Sequence, residues 1–139
     1  MPEVCYIPGE TDHRPGASKG YEMGNMQREK GKRGERELAR KLREYGYECR
    51  RSQQFCGADG DADVIGLPGV HIECKRVEKL NLYDALAQAT SDARDEEMPT
   101  VMHRKNNHEW LVTMTLEDWI KLFREWDAAN SINSISESR

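Results

Sequence analysis

The sequence predicts a single α/β (α+β) domain in which helices flank a mixed central sheet of five strands. Its 139 residues, 37% of them hydrophobic, are enough for one core of ordinary size. Strand-like segments cluster between helix-like segments in the order αβββαββα, which is typical of a sheet covered by helices. An apolar run long enough to span a membrane is missing, and so is a secretory leader. We therefore expect a soluble, cytoplasmic protein.

The first half of the chain predicts one helix and then three strands. The helix covers residues 25–45, with Leu38, Leu42 and Tyr45 as its buried stripe, because these positions recur with helical spacing. Gly46 ends it, in the position where glycine commonly follows a helix. The three strands that follow are expected at residues 47–52, 63–67 and 70–75.

The second half predicts a helix, two strands and a last helix. Residues 82–94 form the first of these, with Leu82, Leu86 and Ala89 on its apolar face. A hairpin is expected from the strands at 100–103 and 110–114. Thr115 begins the last helix, since a threonine three residues before an acidic residue is a capping pattern. The apolar residues expected to point inward from this helix are Leu116, Trp119, Ile120 and Phe123.

Two polar ends are expected to bracket the domain. Residues 1–24 hold three of the five prolines and no periodicity, so they predict a flexible N-terminal arm. Residues 129–139 predict a polar C-terminal tail, which leaves 25–128 as the folded domain. The four cysteines are irregularly spaced, which predicts reduced thiols rather than a disulfide framework or a zinc site. Cys5 and His13, in the arm, receive no role.

The distribution of charge is more informative than its total. A net charge of −4 argues against a general nucleic-acid binder. Residues 19–51, however, hold eleven Lys and Arg against six Asp and Glu, whereas the rest holds ten against nineteen. Such asymmetry predicts either a one-sided surface for a phosphate backbone or an ordinary solvated helix face. The candidate DNA contacts are Arg33, Arg36, Arg40, Arg50, Arg51 and Lys105.

Two neighbouring strands carry an unusual set of charged residues. Side chains two apart in a strand share a face, so Glu73 points the same way as Lys75, and Asp61 the same way as Asp63. The Pro68-Gly69 turn predicts that the two strands pair as a hairpin. In that pairing Asp63 lies beside Glu73, with Lys75 one pleat further along.

Adjacent carboxylates repel each other, and a divalent cation removes the repulsion. Asp63, Glu73 and the backbone carbonyl of Cys74 offer the oxygen ligands that Mg²⁺ prefers, with Mn²⁺ as a substitute. Asp61 competes with Asp63 for the ligand role, and we favour Asp63 because an apolar strand follows it directly. Lys75 is interpreted as a cation that orients water and stabilises phosphate charge, rather than as a general base. The alternative is a surface hairpin with a Glu73–Lys75 salt bridge, disfavoured because the E-x-K triplet lies in an apolar strand.

These residues resemble the PD-(D/E)xK nuclease superfamily, and within it the archaeal-type Holliday junction resolvases and their phage-borne relatives. The matching elements span roughly residues 28–125. They are the helix with Lys30-Gly-Lys-Arg-Gly-Glu35, the strand Tyr47-Glu-Cys-Arg-Arg-Ser, Asp63-Val-Ile-Gly, Ile72-Glu-Cys-Lys75, the helix with Gln88, and Trp110. The resemblance implies a restriction-endonuclease-like core and a Mg²⁺-dependent endodeoxyribonuclease.

The resemblance also implies roles for individual residues. Asp63 and Glu73 would bind the metal, Lys75 would be the catalytic lysine, and Glu35 would add an acidic group directly or through water. Gln88 resembles the polar residue that some members place near the site, and Ser52 a loop serine of the resolvases. Two features depart from the pattern. Ala62 replaces the proline of the family name, and the chain is acidic whereas archaeal resolvases tend to be basic.

Three functions are consistent with these residues. The first is an endonuclease that resolves branched DNA in recombination and repair, as a homodimer, because two symmetric cuts need two sites. The second is a nuclease of the same fold with another substrate, such as a nickase, a restriction-type enzyme or an RNA-cutting relative. The third, disfavoured by the complete acidic set, is a non-catalytic DNA-binding module. Trp119 and Trp126 are expected in the core or a dimer seam, and His71 as an exposed strand histidine.

Overall fold

The computed structural model describes residues 17–53 and 62–138. Its eight elements follow the predicted order αβββαββα. They are α1 (Ala17–Glu44), β1 (Arg50–Arg51), β2 (Val64–Ile65), β3 (Val70–Arg76), α2 (Leu82–Asp92), β4 (Met98–Arg104), β5 (Leu111–Thr113) and α3 (Leu116–Glu137). The predictions for Asp61, Cys5, His13 and most of the N-terminal arm lie outside the described residues. No helix within the described ranges is long and apolar enough to cross a membrane.

The five strands form one mixed sheet in the order β1-β2-β3-β4-β5. Strands β3 and β4 are parallel, and the other three pairs are antiparallel. Helix α2 is the crossover that parallel neighbours require, whereas β2 and β3 pair as the predicted hairpin. The mixed five-stranded sheet with flanking helices confirms the predicted fold class.

Helix α1 covers one face of the sheet. Leu38 and Ala39 are buried against Cys49, Val64 and Ile72 in the larger core cluster. These apolar residues recur with the helical period on α1 and with the two-residue period on β3, so each element turns one side to the same core. Helix α2 covers the other face, where its buried Ala85 and Ala89 pack against Val101.

A glycine sets how closely α1 approaches the sheet. A Cβ at Gly34 would lie 2.5 Å from the Cβ of Arg76 in β3, a distance that would force one element to move. Glu37, one turn further along α1, forms ion pairs with Arg76 and with Arg104 of β4. Together the close contact and the ion pairs fix the position of Glu35, the residue after the glycine.

Both long helices differ from the sequence prediction. Helix α1 begins at Ala17 rather than at residue 25, and α3 continues to Glu137 through residues predicted as a polar tail. Ala128 and Ala129 favour helix, and the hydroxyls of Ser131 and Ser134 donate to carbonyls three or four residues earlier. The polar residues near the C-terminus therefore belong to an exposed helix rather than to an irregular segment. The domain boundaries themselves stay a prediction.

The orientation predicted for α3 is wrong. Leu116, Trp119 and Phe123 were expected to point inward, but all three are exposed, and only Ile120 is half-buried. No residue of α3 is buried within the described part of the chain. Tyr45 is exposed as well, because α1 ends at Glu44 and Gly46, with a φ of +94°, turns the chain away from the core.

Candidate active site

The strand register brings the two predicted carboxylates together. Val64 pairs with Ile72 in the antiparallel β2–β3 ladder, and both are fully buried on the α1 face. Continuing the register by one residue places Asp63 opposite Glu73, and both side chains lie on the face of the sheet away from α1. The amide of Asp63 donates to the carbonyl of Ile72 at 2.9 Å, which fixes this pairing at the start of β2.

Asp63 is held by the main chain of β3. The backbone N–H of Cys74 donates to Asp63 Oδ2 at 2.8 Å. Burial, and next the negative charge of Glu73, raise the pKa of Asp63 to about 7, although the Cys74 amide and Lys75 favour its charged form. Without a cation, Asp63 therefore exchanges its proton near neutral pH, where the charged and neutral forms are both populated.

Lys75 and Glu73 form an ion pair on the same face of β3. Lys75 Nζ lies 3.0 Å from Glu73 Oε1. The Glu73 side chain is only 6% exposed, whereas that of Lys75 is 30% exposed. The ammonium thus reaches from a buried carboxylate toward solvent, where a phosphate would arrive.

Glu35 reaches the site from α1 as a neighbouring charge. Its Oε2 accepts from Arg51 Nε at 2.5 Å, and both side chains are partly buried. Its charge is close enough to contribute to the raised pKa of Asp63. On the adjacent strand edge, the Ser52 amide donates to the Asp63 carbonyl at 2.9 Å. Glu35 and Ser52 therefore lie around Asp63, and Arg51 forms an ion pair with Glu35, while its contact with DNA stays a prediction.

The donor set fits a divalent cation. Asp63 and Glu73 are carboxylates in a partly dry site, where burial and next the charge of Glu73 raise the pKa of Asp63 and so disfavour its charged form. Carboxylate and carbonyl oxygens are the ligands of Mg²⁺. The Cys74 thiol offers no competing ligand, because burial and the Asp63 charge raise its pKa far above the usual range.

The other predicted residues lie around this centre at greater distance. Gln88 is exposed on α2, one helical turn before Asp92. The cationic side chains that remain exposed to solvent are Arg33, Arg36 and Arg40 on α1, Arg50 on β1, and Lys105 after β4. No contact ties these residues to the carboxylates, so their roles stay predictions.

Two neighbours of the site escaped the sequence analysis. His71 is 1% exposed, so the expectation of an exposed strand histidine is wrong. It shares the face of Glu73, and α2 covers that face because it crosses over between β3 and β4. Asp92 ends α2 beside both residues. The signal available was spacing, since His71 precedes Glu73 by two residues and Asp92 follows Gln88 by four.

A mixed sheet that presents an aspartate, a glutamate and a lysine on adjacent strands defines a PD-(D/E)xK type of site. The family model described as "Phage putative PDDEXK endonuclease" matches residues 26–137. The chain belongs to this nuclease family.

Comparison with solved structures gives a further similarity. The chain is similar to Hjc, a Holliday junction resolvase from the archaeal hyperthermophile Archaeoglobus fulgidus, at 22% sequence identity and a TM-score of 0.48. The match covers 59% of this chain and 74% of that chain. A search of curated proteins gave no match.

Proposed function

We propose that this nuclease is a Mg²⁺-dependent endonuclease that hydrolyses phosphodiester bonds in DNA, with Mn²⁺ as a substitute cation. The observation that carries the proposal is the buried Asp63–Glu73 pair with Lys75 beside it. The metal ligands are Asp63, Glu73 and the Cys74 carbonyl. When bound, a divalent cation polarises the phosphate and lowers the pKa of a coordinated water.

The residues around the catalytic centre hold the metal ligands in place and compensate the charge of the phosphate. The Cys74 amide fixes one oxygen of Asp63, so this carboxylate needs little reorganisation to act as a ligand. Lys75 is held by Glu73 with its ammonium partly open to solvent, where it stabilises negative charge on the phosphate. Glu35 adds negative potential from α1, and Gln88 is the candidate to orient water or phosphate from α2.

DNA is the substrate that the surface favours. Arg33, Arg36 and Arg40 are exposed on one side of α1, while Leu38 and Ala39 face the core on the other. Phosphate contacts of this kind give affinity without sequence preference. Arg50, Ser52 and Lys105 complete the proposed surface, and Arg51 acts through its ion pair with Glu35. We place this chemistry in the cytoplasm, which stays a prediction.

Branched DNA is the substrate class we expect, in keeping with the resolvase resemblance and with a role in recombination and repair. Linear duplex, flaps and RNA are the alternatives for the same catalytic centre. The decisive experiment compares cleavage of a four-way junction with linear duplex, flap and single strand, with Mg²⁺ and with chelator. Cutting in excess chelator would contradict the metal dependence, and equal cutting of all substrates would contradict the structure selectivity. Binding without any cutting would favour the non-catalytic alternative.

A second copy of the chain is the partner we propose for α3. Trp119, Leu122, Phe123 and Trp126 recur at i, i+3, i+4 and i+7 and are all exposed, with the Trp119 and Phe123 rings stacked at 5.3 Å. Residues 116–127 hold four acidic and two basic side chains. Residues 23–32 of α1 hold three basic and one acidic, beside exposed Met23 and Met26. The two surfaces are complementary, so a two-fold dimer would bury each α3 against the partner's α1.

Sedimentation measurements test this dimer. Replacing Trp119 and Trp126 together with serine should convert a dimer of the full chain to a monomer. The matched control replaces Ile132 and Ile135, which are equally exposed on another side of α3, and should leave the mass unchanged. A wild-type chain that sediments as a monomer at high concentration would contradict the proposal.

A further inference from the structure

Three metal-ligating side chains converge on the α2 side of the sheet, and one of them is the catalytic carboxylate Glu73. His71 and Glu73 are two residues apart on β3 and share its α2-facing side, and Asp92 ends α2 beside them. One ligand atom from each of the three lies within 4.8 Å of the other two. His71 and Glu73 are buried and Asp92 is half-buried. The group therefore lies in the interior, at the junction of a helix and a strand.

The histidine of this group carries an unsatisfied nitrogen. His71 Nε2 is the buried side-chain atom without a hydrogen-bond partner in the described part of the chain. Buried polar atoms are nearly always hydrogen-bonded, because an unpaired one loses its hydration without compensation. An imidazole nitrogen next to two carboxylates is a set of ligand types that binds divalent transition-metal ions.

We propose that His71, Glu73 and Asp92 bind a divalent transition-metal ion, of which Mn²⁺ is the representative, at a second site that shares Glu73 with the Asp63 centre. An imidazole nitrogen suits manganese, cobalt or zinc, whereas Mg²⁺ prefers oxygen ligands alone. Metal–nitrogen and metal–oxygen bonds of roughly 2.1 Å put neighbouring ligands about 3 to 3.4 Å apart and opposite ligands about 4.2 Å apart. The three ligand atoms lie within 4.8 Å of one another, so binding needs a closure of at most about 2 Å, which the half-buried Asp92 at a helix end can supply.

Glu73 is common to both sites, so an ion bound at the second site also contacts the catalytic centre. Along β3 it lies between His71 and Lys75, two residues from each, so an ion at His71 approaches Glu73 from the side away from Lys75. The same ion joins the end of α2 to β3 through Asp92. Gln88 lies one turn before Asp92 on α2, about 6 Å away along the helix axis. By joining Asp92 to β3, the ion would therefore also fix the helix that carries Gln88 relative to the catalytic centre.

Manganese binding to the metal-free full chain tests the proposal without any cleavage assay. In excess Mg²⁺, which fills the oxygen site, the wild type should bind one Mn²⁺ whose electron spin-echo signal shows coupling to an imidazole nitrogen. Asp92→Asn should weaken this binding by at least about tenfold, and His71→Gln should remove the nitrogen coupling. Asp63→Asn should keep the coupling, although it disables the catalytic centre.

Two control variants make the result specific. Asp84→Asn changes an exposed aspartate on the same helix, and His108→Gln removes an exposed histidine, so both should bind Mn²⁺ as the wild type does. Asp92→Asn lies at a helix end and keeps the test interpretable if His71→Gln fails to fold. Nitrogen coupling that persists in His71→Gln, or Mn²⁺ affinity that is unchanged in Asp92→Asn, would overturn the site. Loss of cleavage alone would count against the nuclease proposal and not against this one.

Discussion

Replacing Asp63 with asparagine should make the metal-free protein more stable at high pH. Burial and the charge of Glu73 raise the pKa of Asp63 to about 7 in the folded chain, whereas an unfolded aspartate titrates near ~3.9. Because the folded pKa is the higher one, this group's contribution is fully present below the unfolded pKa and is lost as pH rises through about 7. Asparagine has no proton to lose and acquires no charge, so it escapes the penalty.

The size of the effect follows from the linkage relation. At pH 5 only about 1.5 kcal/mol of the penalty has developed, and by pH 9 it approaches about 4 kcal/mol, at ~1.36 kcal/mol per pKa unit. The stability advantage of Asp63→Asn should therefore grow by about 2 to 3 kcal/mol between these pH values.

Urea unfolding in chelator at several pH values measures this difference directly. Asp84→Asn, an exposed aspartate on α2, is the matched control and should track the wild type at every pH. Adding Mg²⁺ at pH 8 should stabilise the wild type and leave Asp63→Asn unchanged, since only the former holds the ligand charge. Wild-type and Asp63→Asn curves that stay parallel from pH 5 to 9 would refute the reasoning.

Three further outcomes are expected. Lys75→Ala and Glu73→Gln should each lower single-turnover cleavage by at least about two orders of magnitude while DNA binding survives, because each removes a preorganised charge; normal cutting would make these residues structural. Neutralising three exposed arginines of α1 should flatten the salt dependence of DNA binding by roughly 0.9 in log–log slope per lost contact; an unchanged slope would place the DNA elsewhere. These arginines are Arg33, Arg36 and Arg40. Gly34→Ala should destabilise the fold by about 1 to 3 kcal/mol in thermal unfolding, because its methyl meets the Arg76 Cβ at 2.5 Å; Gly31→Ala, with open space around it, is the control and should not destabilise.

Local patterns were sufficient for the sheet and for the centre of the site. The two-residue period of β3 assigned Ile72 to the core and Glu73 to the opposite face, as the burial of Val64 and Ile72 confirms. The turn at residues 68–69 fixed the hairpin, and with it the pairing of Asp63 with Glu73. Each of these inferences depends only on neighbours in sequence.

The packing of elements that are distant in the chain could not be predicted from the sequence. The apolar spacing of α3 predicted a helix correctly, but an apolar stripe does not specify whether its own sheet or another chain will cover it. His71 was taken for a surface residue because nothing local reveals that α2 lies across β3. Residues 129–139 were predicted as a polar tail, whereas α3 continues to Glu137, since serine and asparagine favour irregular structure unless the helix already runs into them.

The backbone and the side chain of Cys74 in β3 have separate roles, because the hydrogen bond to Asp63 comes from the backbone amide. The catalytic aspartate is positioned by a main-chain group, which every amino acid except proline possesses. The Cys74 side chain points instead into the packing under α1. Another apolar residue can therefore replace cysteine at position 74 without moving Asp63, whereas proline there would remove the hydrogen-bond donor. The side chain at this position is free to vary while the backbone amide continues to hold the catalytic aspartate.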